Sequence, residues 1–164
     1  CPEVSVGSTP TALSAVSLEG VTELRAGVYM FFDLVMAGIG VCSTDQIALT
    51  VLTSVIGHQA ETGRLIVDAG WMAMSRDRGT AKQRLDQGYG RVQGHGDLII
   101  LDANQEHGLV GRRDGQPLDL SAWPIGASLR ILPNHACATA AQYDHYDLVE
   151  DGRVTEVWPR FSGW

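Results

Sequence analysis

From Leu24 onward, apolar residues recur every second position in short runs, the pattern of strands with one buried face. Ile47, Leu49 and Val51 share one face of a run from Gln46 to Ile56, and Ser128 to Leu132 alternates in the same way. Arg64 to Asp68 and Asp97 to Leu101 are short apolar strands, and Val28 to Val35 is rich in aromatic and branched residues, which favour strand. Two Asp-Gly pairs supply the positive-φ residues of tight hairpin turns. Asp114-Gly115 lies between Leu109-Val110 and Leu118–Leu120, and Asp151-Gly152 between Leu148-Val149 and Val154–Val157. Across the second turn, Val154–Trp158 is expected to pair with Tyr146–Glu150. Trp158, Phe161 and Trp164 are expected to pack around the last strand.

One helix is expected. Val4–Thr11 reads as a strand entering a turn, with Thr9 as N-cap and Pro10 at the first helical position. The helix runs to about Ser17, with Gly20 as its stop. Ser75–Gly96 is polar and glycine-rich and reads as a long mobile excursion. About eight to ten strands and one amino-terminal helix make the chain mainly β, an antiparallel barrel or sandwich.

Composition narrows the partners. The 164 residues suffice for one domain with a real core. The net charge is −7 with no Lys/Arg run, which argues against nucleic acid. No apolar stretch is long enough for a membrane span, and no basic start precedes an apolar block. Cys1, Cys42 and Cys137 are odd in number and far apart, so free thiols in a cytoplasmic protein are expected. A chain that begins at Cys1 and opens directly on a strand is expected to be a fragment.

Two motifs could carry chemistry. Gly7-Ser8-Thr9-Pro10-Thr11 stands at a strand-to-helix junction, where free N–H groups and hydroxyls can hold a phosphate; an ordinary capped helix start has the same appearance. In His135-Ala136-Cys137, residues two apart in an extended segment share a face, so imidazole and thiolate could converge on a divalent metal such as Zn²⁺. A buried Cys beside a strand-end His fits the pattern as well. Asn134, Asp144 and Glu106 are the candidate acceptors for the free imidazole nitrogen. His107 is either an acid/base or a solvated loop residue, Tyr29 reads as core or interface, and His58, His95 and His145 read as surface residues.

Several segments, in order, resemble the D-threonine aldolase and D-serine dehydratase family of type III fold pyridoxal-phosphate enzymes. They are Val4–Thr11; Glu23–Tyr29 with Asp33; Val67-Asp68-Ala69-Gly70 with Ser75 and Asp77; Gln105–Gly108; Pro133–Cys137; and Gly163-Trp164. The resemblance implies that residues 1–20 end a cofactor-binding α/β barrel and that 21–164 form a carboxy-terminal β domain with the metal site. It implies that Gly7, Ser8 and Thr9 bind the phosphate of pyridoxal phosphate, that Tyr29 lies close to that cofactor, and that His135 and Cys137 are catalytic metal ligands. The metal would be Zn²⁺, Mn²⁺ or another divalent cation. The implied activity is a lyase reaction on D-3-hydroxy amino acids in a homodimer. Aldolases of the family can carry Asp where Cys137 stands, so the cysteine favours a dehydratase.

The family's cofactor lysine belongs to the absent amino-terminal barrel. The chain's single lysine, Lys82, has no such context, so the chain alone is expected to be inactive. The competing readings are a non-catalytic β domain for dimerisation or regulation, and a metal-free, racemase-like cofactor enzyme.

Overall fold

The computed structural model describes residues 1–25 and 27–161. At the amino terminus β1 (Ser5–Val6), α1 (Thr9–Ser14) and β2 (Glu23–Leu24) form a small unit in which β1 and β2 pair in parallel. A 3₁₀ turn (Val28–Met30) and α2 (Leu34–Gly38) follow, and another 3₁₀ turn (Thr44–Gln46) leads into the sheet.

Six strands then close into an antiparallel barrel. They are β3 (Val51–Gln59), β4 (Arg64–Val67), β5 (Gly90–Val92), β6 (Leu98–Ala103), β7 (Gly108–Arg112) and β8 (Ser128–Pro133), in spatial order β3-β4-β7-β6-β5-β8, with β8 returning to β3. α3 (Ala136–Ala140) leaves the end of β8, and β9 (His145–Glu150) and β10 (Arg153–Pro159) form a separate hairpin. No helix among the described residues is long and apolar enough to cross a membrane.

Alternation explains the interior. Along β3, Val51, Thr53 and Val55 are buried while Leu52 and Ile56 are exposed. Val55, Leu65, Val67, Ile100, Val110 and Ile131 are fully buried in one core with Met74. Each such apolar side chain contributes about 1.5–3 kcal/mol by leaving water.

The antiparallel barrel agrees with the expected class, but several elements differ. Val28–Val35 is not a strand. Gly27 opens a 3₁₀ turn, Phe32 adopts φ 52°, and Asp33 caps α2 by accepting a bond from the Met36 N–H. Ile47 and Leu49 are buried in phase with β3, yet the strand begins only at Val51 because 44–46 are a 3₁₀ turn. Among the described residues there are three α-helices where one was expected, and the cap of α1 is Ser8, with Thr9 already helical.

Ser75–Gly96 is not simply an excursion, since it contains barrel strand β5. Asp114-Gly115 makes a turn but no hairpin, because both edges of β7 are taken by β4 and β6, and Leu120–Ala122 is a 3₁₀ turn capped by Asp119. Asp151 (φ 49°) and Gly152 (φ 76°) do make the expected hairpin, with Trp158 opposite Tyr146 and Val154 opposite Val149. Its aromatic residues are not buried: Trp158 is 48% and Phe161 92% exposed. Gly163 and Trp164 lie outside the described residues.

Candidate metal and cofactor site

The Gly7-Ser8-Thr9 turn carries exposed Gly7 and Ser8 and buried Thr9. Ser8 makes no side-chain cap on a backbone N–H of α1, although its Oγ accepts from the Thr11 hydroxyl at 3.3 Å. A hollow of about 180 Å³ opens beside the turn, lined by Gly7, Ser8 and Thr11 together with apolar residues such as Val6 and Leu18. The Arg25 guanidinium lies over the turn, with Nε 2.9 Å from where a Cβ on Gly7 would stand. A side chain there would displace it, so the glycine lets the guanidinium, which also bonds the Ser5 hydroxyl, lie against the turn. A larger hollow of about 330 Å³, between Pro10, Leu13, Ser14 and Ile39, Gly40, Val41, contains no ionisable group.

The next segment adjoins this turn. A Cβ on Gly27 would lie 3.8 Å from Thr9 Oγ1. Tyr29 stands half-exposed in the following 3₁₀ turn, rather than in a strand or in the core. Its neighbours Val28 and Phe31 pack on Leu49, Ala136 and Ala140, and Phe31 meets Tyr146 edge-on at 5.5 Å. The turn that bears Tyr29 is therefore packed against α3.

His135 is the N-cap residue of α3 and Cys137 lies in its first turn, so the pair leaves a strand-to-helix junction and not an extended segment. Both are exposed, and Cys137 is not sealed in apolar packing. The imidazole Nδ1 bonds the Asp77 carboxylate. An ionised carboxylate can only accept, so Nδ1 carries a proton, and in the neutral imidazole the lone pair is on Nε2. None of the expected acceptors fills this role. Asn134 is buried and turned towards Thr80, Asp77 and Gly88; Asp144 bonds His145; and Glu106 stands exposed in the β6–β7 turn. The His145 contact holds the Asp144 carboxyl below its ordinary value.

Asp77 reaches His135 because its segment is fixed at several points. The Thr139 hydroxyl bonds the Met74 carbonyl, the Tyr143 hydroxyl bonds the Ala73 carbonyl (2.8 Å), and the Asn134 amide bonds the Asp77 carbonyl (2.9 Å). The stretch expected to wander is thus tied to α3 and to the end of β8. Cys42, near Asp33, has its thiol pushed up by burial and then by the Asp33 carboxylate. All three cysteines are free. Among the described residues no three His, Cys, Asp or Glu side chains are grouped to hold a metal.

Other motifs of the resemblance are architectural. A Cβ on Gly70 would stand 2.4 Å from the Asn104 and Gln105 carbonyls, and one on Gly108 would stand 2.6 Å from the Ala69 carbonyl. The Val67–Gly70 and Gln105–Gly108 segments are glycine-containing because their backbones touch. His107 is exposed in that turn. His58 is no bare surface residue, since its Nε2 bonds the Trp123 carbonyl at 2.7 Å, and His95 packs edge-on against the Trp123 ring.

Residues 48–149 match the family model described as "Putative serine dehydratase domain". The chain belongs to that family. It is 59% identical over its whole length to D-threo-3-hydroxyaspartate dehydratase of Delftia sp. (strain HT23), covering 45% of that protein. The solved structure of that dehydratase superposes with a TM-score of 0.92 over all of this chain and 45% of the other. Two further solved structures are variants of the same enzyme, a histidine-to-alanine and a cysteine-to-alanine substitution two positions apart, the latter in a metal-free form. D-threonine aldolase from Filomicrobium marinum is 26% identical, with a TM-score of 0.72 over 97% of this chain and 41% of the other. The serine dehydratase-like chain thus spans a little under half the length of these relatives.

Proposed function

We propose that the protein carrying this chain is a pyridoxal-phosphate- and divalent-metal-dependent lyase that dehydrates D-3-hydroxy amino acids, with a 3-hydroxyaspartate as the favoured substrate class. The observation that carries the reading is the exposed His135–Cys137 pair, with His135 held through Nδ1 by Asp77 so that Nε2 is its free donor. The spacing matches the histidine and cysteine substituted in the Delftia enzyme variants. One imidazole and one thiolate fit Zn²⁺ or a similar borderline cation, and two protein ligands leave positions for substrate and water.

When bound, such a cation would act as a Lewis acid on the 3-hydroxyl, which leaves as water. Pyridoxal phosphate would supply the electron sink for loss of the Cα proton. The exposed Gly7-Ser8-Thr9 turn and the Arg25 guanidinium fit its phosphate end, and the half-exposed Tyr29 stands on the segment between that turn and α3. Asp77 keeps the His135 proton on Nδ1 and so holds Nε2 ready as a donor. Lys82 is exposed in the 75–89 segment, and among the described residues no hydrogen bond or ion pair joins it to these groups. The cofactor lysine is therefore assigned to sequence outside this chain. The parallel β1–α1–β2 unit supports reading the first 20 or so residues as the end of a cofactor-binding α/β barrel, with the closed barrel as a second domain.

The test uses the full-length protein with D-threo-3-hydroxyaspartate, D-serine and D-threonine. Dehydration releases a 2-oxo acid together with ammonia, whereas aldol cleavage releases glycine and an aldehyde (glyoxylate from 3-hydroxyaspartate) and no ammonia, so ammonia and glycine are the products that decide. The expected result is release of a 2-oxo acid with ammonia that is lost with metal content in His135→Ala and Cys137→Ala, while the absorbance of bound cofactor persists. Unchanged turnover in both variants overturns the metal reading, and glycine as product reassigns the protein to the aldolases.

A further inference from the structure

Asp33 is buried, with only 2% of its surface exposed, and it stands 103 positions from the residue it serves. One carboxylate oxygen accepts from the Met36 N–H at 2.9 Å and caps α2. The other accepts from the Ala136 N–H at 2.9 Å, at the first residue of α3 and directly between His135 and Cys137. Ala136 is itself fully buried, so water does not reach the site to replace this acceptor.

The arrangement is unusual in what it spares. His135 occupies the N-cap position of α3 yet makes no capping bond with its side chain. The first N–H of α3, which has no partner within the helix, is satisfied by a carboxylate from a distant segment, while the imidazole bonds Asp77. A second bond, from the Val35 N–H to the Asn134 carbonyl at 3.4 Å, runs parallel to the first. Directly before Asp33, Phe32 is held at φ 52°, a left-handed conformation that a bulky residue rarely adopts. That conformation turns the chain so that Asp33 enters α2 extended (φ −161°) with its carboxylate facing α3.

We propose that Asp33 is the positioning residue of the metal pair: it fixes the backbone between His135 and Cys137 and locks it to the segment that carries Tyr29. The proposal rests on the reading of His135 and Cys137 as metal ligands. Asp33 reaches no metal itself, because both of its oxygens are engaged by backbone N–H groups.

The substitution that separates this role from ordinary capping is Asp33→Ser. Serine is as good an N-cap as aspartate and keeps α2, but it is too short to span to Ala136. In the full-length protein, Zn²⁺ affinity is measured by competition with a chromogenic chelator, alongside thermal unfolding and the absorbance of bound cofactor. Val55→Ala, a cavity in the barrel core remote from the pair, serves as the control for general destabilisation. The expected result is at least a tenfold loss of Zn²⁺ affinity in Asp33→Ser, with wild-type affinity retained in Val55→Ala despite its lower Tm. Wild-type Zn²⁺ affinity in Asp33→Ser overturns the proposal, as does an equal affinity loss in Val55→Ala. If Asp33→Ser does not fold, Asp33→Thr, also an N-cap residue too short to reach Ala136, takes its place under the same criteria. If Cys137→Ala and His135→Ala bind Zn²⁺ as the wild type does, the ligand reading itself fails and the proposal falls with it; that pattern is distinct from one in which only the Asp33 variant is silent.

Discussion

The Asn134 side chain and the Asp77 backbone are joined by a hydrogen bond of 2.9 Å, and the residue after Asn134, His135, holds the carboxylate of the same aspartate. Asn134 is 1% exposed and spends its amide fully: Nδ2 donates to the Asp77 and Gly88 carbonyls, and Oδ1 accepts from Thr80 at 3.3 Å. The acceptors on one side and the hydroxyl on the other fix which way the amide faces. One buried side chain thus sets the register of the 75–89 segment against the end of β8, and with it the place of Asp77.

Asn134→Ala should destabilise the protein by ~2 kcal/mol or more, since each stranded buried polar group costs about 1–3 kcal/mol. Urea denaturation measures it, and limited proteolysis should show new cleavage within 75–89. A loss below ~0.5 kcal/mol, the range of an ordinary surface substitution, would mean that the network bears no load.

Asp77→Asn should act on the metal and not on the fold. Both partners of the pair are about half-exposed, with side-chain exposures of 46% and 47%, so its loss should barely move Tm. Removal of a carboxylate that orients a ligating histidine typically weakens metal affinity ~10–100-fold. Titration with Zn²⁺ in the full-length protein checks this; an unaltered affinity would refute the orienting role.

Gly88 and Gly115 both hold positive φ, 61° and 77°, but only one is crowded. A Cβ on Gly88 would stand 2.1 Å from the Ile100 carbonyl oxygen, whereas one on Gly115 would meet nothing within 4 Å. Gly115→Ala should therefore cost only the left-handed strain, ~1–2 kcal/mol. Gly88→Ala should cost at least ~1 kcal/mol more through overpacking against backbone that cannot give way. Paired denaturation curves decide it.

Asp68 gives a pH dependence. Burial raises its carboxyl, but bonds from the Ser54 N–H (2.8 Å) and the Thr53 hydroxyl (2.6 Å) outweigh that and leave it below the ordinary carboxylate value. A depressed folded value stabilises the fold above the unfolded value of ~3.9, and that stability is lost as the pH falls through the folded value. The wild type should exceed Asp68→Asn in stability at neutral pH, and the gap should close in acid. A gap that is constant from neutral pH to ~3 would exclude ionisation as its source.

What could be read from the sequence was what local chemistry decides. Asp151-Gly152 turned as its positive-φ preference requires, and β4, β6 and β8 followed their apolar runs. Asp114-Gly115 has the same two residues and a different outcome, because the partners of β7 come from β4 and β6, and no local signal announces that. Val28–Val35 misled through strand-favouring composition, although Asp33 carried a legible cap signal. β5 is only three residues long, begins at Gly90, and was lost inside a polar stretch. Of the candidate site, the histidine and cysteine were visible as a pair, but Asp77 lies 58 positions from His135 and Asp33 lies 103 from Ala136. Contacts at that separation are made by the fold.

Because β8 pairs with β3, no barrel strand has an unpaired edge. Among the described strands, open backbone donors and acceptors are confined to the outer sides of the β1–β2 and β9–β10 pairs. The seven-residue β10 is the longer of the exposed edges, and it presents Val154, Val157 and Trp158 to solvent. Strand addition by another chain, in assembly or in aggregation, therefore finds its longest template at this edge, and a lysine or proline placed on the outer side of β10 is the change that would block it there.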